Sequence, residues 1–441
     1  MIIITLILLG TFYGLSRQSC VCAASSADDW PLYHHDAAHT GYSNGTAPTT
    51  LPVQLWNYTL ELFPLSFPHS PAVADGFVYV NSAEYNPSCF DASTGANIWN
   101  FPVVVSYMDS APAVVNGRVY VGSVNGVVYS LDASSGLQVW NYSTGDSFDS
   151  SPTVVNDLVY VESSNGDIYC LDAASGNRVW NFSTGSTASG SSPAVSGGYV
   201  YVGNEGGGVF CLGASNGSVV WNVTVGGAVG SPAFSNGYVY LGSTDGNVYC
   251  LNASNGAKVW NYTTEYNSNG PSHGYHWGNA VTDPAVAYGY VYVGSSNFDV
   301  YCLDASNGTQ IWNYTTAAEV YAPPAVAGGC VFVGSYDGNI YCLNASSGFE
   351  IWSYPAGVFS PVNAGGSAGS PAVAGGVIYV VGNGVIYALA TPSTSPSFPL
   401  IVIALVVVVA VVVAVTVVYV TFAKRKRTAA AESSSALSPS P

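Results

Sequence analysis

Charge is what this 441-residue sequence most lacks: Asp, Glu, Lys and Arg together make up 7% of it, and only eight residues are Lys or Arg. Lys424, Arg425, Lys426 and Arg427 sit together near the C-terminus and Arg17 lies near the N-terminus, so Arg118, Arg178 and Lys258 are the only cations between them. From Ser25 to Pro399 three cations face 24 carboxylates, a net charge of −21. Binding to nucleic acid rests on neutralising phosphates with Lys and Arg, so that class of partner is excluded. Helical periodicity is missing from the body of the chain, and none of the nine cysteines stands beside another.

The two ends account for the uneven charge. Residues 1–24 read as a secretory signal, apolar from Met1 to Gly10 with small residues at "VCAASS", although the usual positive start is missing. Leu400–Phe422 is a run of 23 uncharged residues, long enough to cross a bilayer core of about 30 Å as a single transmembrane helix. The basic cluster after it places the tail, residues 423–441, in the cytoplasm and everything before Leu400 outside the cell membrane. A Ser/Pro linker, residues 392–399, joins this anchor to the body, residues 51–391, and residues 25–50 form an N-terminal entry segment.

What the body does contain is a repeat. Trp56, Trp99, Trp140, Trp180, Trp221, Trp260, Trp312 and Trp352 follow one another at intervals of 43, 41, 40, 41, 39, 52 and 40 residues. The proline of an "SPAV" element recurs at the same pace, from Pro71 to Pro371. A period near 40 signals a solenoid, a propeller or an array. Within one unit, "SPTVV", "LVYVESS", "DIYCLDA" and "RVWNFST" are four short runs rich in Val, Tyr and Trp, separated by turn residues. That pattern predicts a four-stranded antiparallel blade, and radial stacking of blades makes a β-propeller. The small-residue "SPAV" run suits the crowded innermost strand and the Trp run the outermost. Eight inner strands are present, but the last unit ends without a Trp strand; "VQLWNYT", Val53–Thr59, supplies it from upstream. The expectation is an all-β, eight-bladed propeller closed by its own N-terminal strand, which leaves no open sheet between the ends.

"DASTGANIW", Asp91–Trp99, resembles the tryptophan-docking repeat of the pyrroloquinoline quinone (PQQ) enzyme family, and "DWPLYHHDAAHTGYS", Asp29–Ser43, is similar to the segment that precedes many such propellers. The resemblance implies that the eight tryptophans are structural, stacking between neighbouring blades. It also implies, for the quinoprotein dehydrogenases, an anionic tricarboxylic cofactor with a calcium ion, a catalytic Asp and often two adjacent cysteines. Fold alone does not carry that function over. No Cys-Cys pair exists here, and Arg118, Arg178 and Lys258 all fall on the face opposite the outer-to-inner loops, where the family holds its cofactor. No cofactor is therefore expected, PQQ with Ca2+ being the alternative. The repeat carboxylates are not catalytic candidates either: Asp91, Asp132, Asp172 and Asp304 alternate with Asn252 and Asn344 at one place, a swap that an acid or base would not tolerate and a turn-capping side chain would.

Cys89, Cys170, Cys211, Cys250, Cys302 and Cys342 share one strand position and read as small buried hydrophobes, with Cys330 within reach of Cys342 as a disulfide or as a second buried thiol. Two places break the repeat. The sixth unit carries a longer outer-to-inner loop, which brings His273, Tyr275, His276, Trp277 and Asp283 to the channel rim as candidate binding residues. In "YHHDAAH", His35 and His39 would share one side of a helical turn, at a spacing that metals use, against packing of His34, His35, Asp36 and His39 onto the propeller; packing is the preferred reading and no metal is expected. Sequons at Asn57, Asn141, Asn181, Asn222, Asn261 and Asn313 follow six of the tryptophans, and others stand at Asn44, Asn216, Asn252, Asn307 and Asn344, so the wall is a candidate for N-glycosylation. These features point to a membrane-anchored extracytoplasmic scaffold with a protein or glycan ligand, not an enzyme. The alternatives are a PQQ- or metal-dependent oxidoreductase and a carbohydrate-binding surface sensor.

Overall fold

The computed structural model describes residues 29–60, 70–81, 87–102, 110–188, 190–264, 280–356, 369–382, 384–392, 412–413 and 415–425. The chain divides into two units, residues 1–391 and 392–441. The first holds eight sheets, each with four antiparallel strands in series from the centre outwards. Blade 3 is typical: Thr153–Val155 is the inner strand, followed by Leu158–Glu162, Asp167–Asp172 and the outer strand Arg178–Ser183. Alternation explains the local choice of strand. In Leu158–Glu162 every residue but the first is buried, and in Asp167–Asp172 every residue but the first and last, because both faces of the sheet are covered by neighbouring blades. The outer strand buries little besides Trp180.

Ring closure follows the count made from the sequence. Val53–Thr59 pairs antiparallel with Val385–Ala390 and completes the last blade outside Ala372–Ala374 and Val377–Gly382. Its Trp56 then docks on blade 1, where Nε1 donates to the Ala92 carbonyl at 2.8 Å. The same bond recurs round the ring, as from Trp140 to Ala173 O and from Trp180 to Ala214 O, both 2.9 Å. Seven of the docked indoles, all but that of Trp352, lie on the next turn's glycine. A Cβ at Gly136 would stand 2.6 Å from the Trp99 ring, and φ there is +69°. Asp132 fixes that turn, its Oδ1 accepting from the N–H and hydroxyl of both Ser134 and Ser135, and those bonds hold its carboxyl down to about 2. Asn252 does the same for Ser254.

Seven cysteines are described, and all are buried free thiols, Cys330 and Cys342 included. The shared position pairs with the docked tryptophan, as Cys170 does with Trp180, and burial pushes the Cys170 thiol up to about 12.

In the second unit, residues 412–413 and 415–425 are helical. No helix among the described residues is long and apolar enough to cross a membrane; residues 400–411 and 414 of the span expected from the sequence lie outside them.

Candidate functional site

The inner strands, three residues each, would present free edges to the ring's axis. A strap formed by Trp30–Pro48 runs along those of blades 1 to 7 in order. Trp30 exchanges two backbone bonds of 2.8 Å with Val73 of blade 1, and Val114 of blade 2 donates to the Pro31 carbonyl at 2.8 Å. Val195, Phe234, Val286 and Val326 of blades 4 to 7 donate in turn to the carbonyls of Ala37, Ala38, Thr40 and Gly41. Blade 3 is reached by a side chain, His39 Nε2 lying 3.0 Å from Thr153 Oγ1. Tyr42 and Ser43 then run parallel to the inner strand of blade 7, and the Pro48 carbonyl accepts from Trp352 Nε1 at 3.1 Å. The last blade has no turn for that indole, because its outer strand arrives from upstream, and the strap's end supplies the acceptor instead.

The strap packs on the inner strands and is not helical, so His35 and His39 do not share the helical face that the alternative reading required. His34, His35 and His39 all have positive φ, at 53°, 76° and 56°, and the chain between them is a series of turns. Asp36 organises it, accepting from the N–H groups of Ala38 and Thr40 and from the Thr40 hydroxyl at 2.6 Å. His35 turns towards Trp30, edge to face at 4.9 Å, whereas His34 and His39 turn inwards beside Tyr33 and are buried. Burial and the neighbouring His34 hold His39 down to about 3, with Asp36 opposing, and burial also lowers His34. His34 Nε2 and His39 Nδ1 have no hydrogen-bond partner. No three His, Cys, Asp or Glu side chains among the described residues form a group able to hold a metal ion.

Of the loop residues singled out in the sixth unit, His273, Tyr275, His276 and Trp277 lie outside the described residues. Asp283 ends that loop just before the inner strand Ala285–Ala287, and both its oxygens are engaged: Oδ2 accepts from the Tyr33 hydroxyl at 2.6 Å and Oδ1 from the Ser231 N–H at 2.7 Å. Burial and this carboxylate push the Tyr33 phenol well above its usual range. The Ser231 bond is one link of a belt that the sequence reading missed. The N–H groups of Ala111, Ser151 and Ser192 donate at 2.9 Å to the hydroxyls of Ser151, Ser192 and Ser231, each in the next blade. Its signal was the Ser that precedes the inner-strand proline in five blades, with Ala111, Asp283 and Pro323 as the substituted members.

A second missed residue is Glu162. Blades 2, 4, 5, 6 and 7 have glycine here, and a Cβ at Gly122, Gly203 or Gly294 would press on Phe148, Val229 or Val320 of the adjoining loop at 2.7, 2.8 and 2.3 Å. Blade 3 has the sequence "STASGSS" in the corresponding loop, Ser186–Ser192, and Glu162 in place of the glycine. The carboxyl is fully buried with both oxygens unpartnered, and burial raises it well above the usual carboxylate range.

The cations of the ring are confined to one of its faces, whereas carboxylates stand on both. Because strands alternate in direction, Arg118, Arg178 and Lys258, each the first residue of its strand, all lie on the inner-to-second turn face. The outer-to-inner loop face carries Asp146, Asp149, Glu205, Asp245, Asp299 and Glu319, and no Lys or Arg of the body remains to join them. An anionic tricarboxylate does not fit such a face, where nothing offsets its charge.

Eight four-stranded blades, docked tryptophans and the covering strap define a PQQ-type repeat propeller. Residues 53–188, 164–274 and 272–394 each match the model of the family described as outer membrane protein assembly factor BamB, and the chain belongs to that family. No curated protein matches it. Among solved structures, BamB from Moraxella catarrhalis is similar at a TM-score of 0.62 and 20% identity, over 79% of this chain and 100% of that one. Quinohemoprotein alcohol dehydrogenase from Comamonas testosteroni is similar at 0.69 and 16%, over 85% and 82%. The computationally designed Ika8 protein is similar at 0.65 and 14%, over 77% and 99%. At these identities the likeness is one of fold, shared by an assembly factor, an enzyme and a design.

Proposed function

We propose that this chain is an extracytoplasmic protein-interaction scaffold, tethered by a span at Leu400–Phe422, which presents its outer-to-inner loop face to a protein or glycan partner. The observation that supports the reading is the placement of the cations: all three of the body stand on the other face, and the strap covers the inner edges of blades 1 to 7, mostly through backbone bonds, so recognition is left to the rim free of Lys and Arg. In this reading the longer loop of the sixth unit belongs to that rim. Tyr275 and Trp277 are the aromatic anchors in this reading, with His273 and His276 as polar contacts and Asp283 as the fixed end of the loop.

Cross-linking on intact cells, followed by identification of the captured protein or glycan, tests it. Replacing Tyr275 and Trp277 together by Ala should lose the captured partner at unchanged melting temperature, because an aromatic anchor contributes about 2 kcal/mol or more to an interface. Capture that survives the double replacement moves the site off this loop. Absorbance and elemental analysis of the full chain purified in detergent test the enzyme alternative: a stoichiometric quinone spectrum would replace the scaffold reading by an oxidoreductase. Protease added to intact cells should remove the propeller and spare a tag on residues 428–441; a digested tag would reverse the topology.

A further inference from the structure

We propose that the outer strands are N-glycosylated at Asn57, Asn141, Asn181, Asn222, Asn261 and Asn313, and that these glycans guard the free edges of the blades. The proposal rests on the extracytoplasmic reading above.

Each of the eight sheets ends on an outer strand whose far side has no strand partner. Such a row of unpaired backbone groups is a template for pairing with another chain, and proteins blunt it with charges, bulges or proline. Charge is scarce here: the outer strands VQLWNYT, NIWN, QVWNYS, VVWNVT and QIWNYT carry none. Each outer strand also exposes an aliphatic residue just before its tryptophan, from Ile351 at 38% to Leu55 at 49%.

A bulge covers one half of every edge. In blade 3, Leu171 pairs with Arg178 and Cys170 with Trp180, so Val179 is the extra residue, and the same shift occurs in the other blades. The other half is regular, with Asn181, Phe182 and Ser183 opposite Tyr169, Ile168 and Asp167.

What stands on that regular half follows a rule. Three residues after the tryptophan, six blades have Thr59, Ser143, Ser183, Thr224, Thr263 or Thr315, each completing a sequon, and the remaining two have Pro102 and Pro355. Proline is itself an edge blunter. In blade 1 the Asn is present as Asn100 but Pro102, just beyond the strand Asn97–Asn100, takes the hydroxyl position, so a proline follows the strand and no sequon forms. One position thus holds a proline or the hydroxyl that directs glycan transfer, and no blade lacks both.

The acceptors are open to the reaction. The six Asn residues and the hydroxyl residues two places on are exposed. Asn261 Nδ2 donates to Asn247 Oδ1 at 3.3 Å and Asn313 Oδ1 accepts from Gln310 Nε2 at 3.2 Å, both at exposed side chains, whereas Asn344 at a strand end accepts four bonds from Ser346 and Ser347 through Oδ1. Transfer forms a bond from the Asn Nδ2 to the anomeric carbon of an oligosaccharide carried on a lipid phosphate. The bond from that carbon to the phosphate oxygen breaks, and the lipid phosphate and one amide proton leave. A hydrated chain anchored there keeps a second strand from the edge.

Glycopeptide mass spectrometry of the full chain from a glycosylating secretory host should find sugar on the six outer-strand asparagines. Unmodified asparagines at all six would overturn the proposal together with the glycoprotein reading. Edge guarding is tested with two glycan-free sets: alanine at Thr59, Ser143, Ser183, Thr224, Thr263 and Thr315, and proline at the same six positions. The alanine set should aggregate several-fold faster by light scattering at unchanged far-ultraviolet dichroism, and so should the unsubstituted chain from a host without glycosylation. The proline set should return to the glycosylated protein's rate. If the sugars are present but the unsubstituted chain without them aggregates no faster, glycosylation stands and edge guarding is wrong.

Discussion

Protonating His39 means placing a cation in a buried site beside His34 and Thr153, and its value of about 3 records the resistance of that site. An unfolded histidine takes up its proton near 6.5, so below that pH the unfolded chain binds more protons than the folded one and stability falls towards about pH 3, by up to about 1.4 kcal/mol per pH unit. Replacing His39 by Asn should flatten this acid limb in melting temperatures measured from pH 7 to pH 4. Glu162 has the opposite sign. Its folded value is raised, so its penalty is absent at low pH and grows as pH rises through the unfolded carboxylate range. Glu162→Gln should therefore raise the melting temperature at pH 8 and change it little at pH 4; a uniform shift would mean that packing, not ionisation, sets the cost. Glu162 was legible only as a break in a glycine column, which gives no hint that its oxygens lack partners. His39 was legible as a histidine, but its surroundings were not, since the turns that bury it depend on positive φ at residues other than glycine.

At the scale of the element, the docked tryptophan and the glycine under it form one joint. Gly136→Ala should cost about 1–3 kcal/mol, because the new methyl meets the Trp99 ring and the backbone is left-handed there. Trp56→Ala should cost about 3–5 kcal/mol, read as a lower urea midpoint, since it loosens the joint between the last blade and the first. Strands, turns and ring closure were open to sequence reasoning because side chains write them: the same Trp, Asp and Gly return at a fixed period. The strap was not. Its contacts with the blades run mostly from backbone N–H to backbone carbonyl, which leaves no residue pattern, and residues 29–48 occur once and so have no copy against which to be compared. The serine belt lies between these cases, repeating visibly beside the proline while its bonds run to neighbouring blades.

For the molecule as a whole, the cations are arranged by face although the net figure says nothing of faces. Composition alone excluded nucleic acid, but only strand direction shows that the three cations of the body share one side. Closure by Val53–Thr59 also sets an order in time. That strand is made before any blade and finds its partner, Val385–Ala390, only after the last one. Until then blades one to seven are an open series of local hairpins, and the final step must close a loop that spans nearly the entire body. Closing loops between distant parts of a chain is slow. Folding should thus show a fast phase from hairpin contacts and a slow one from locking, and a chain whose synthesis stops before Val385 has no route to the locked state.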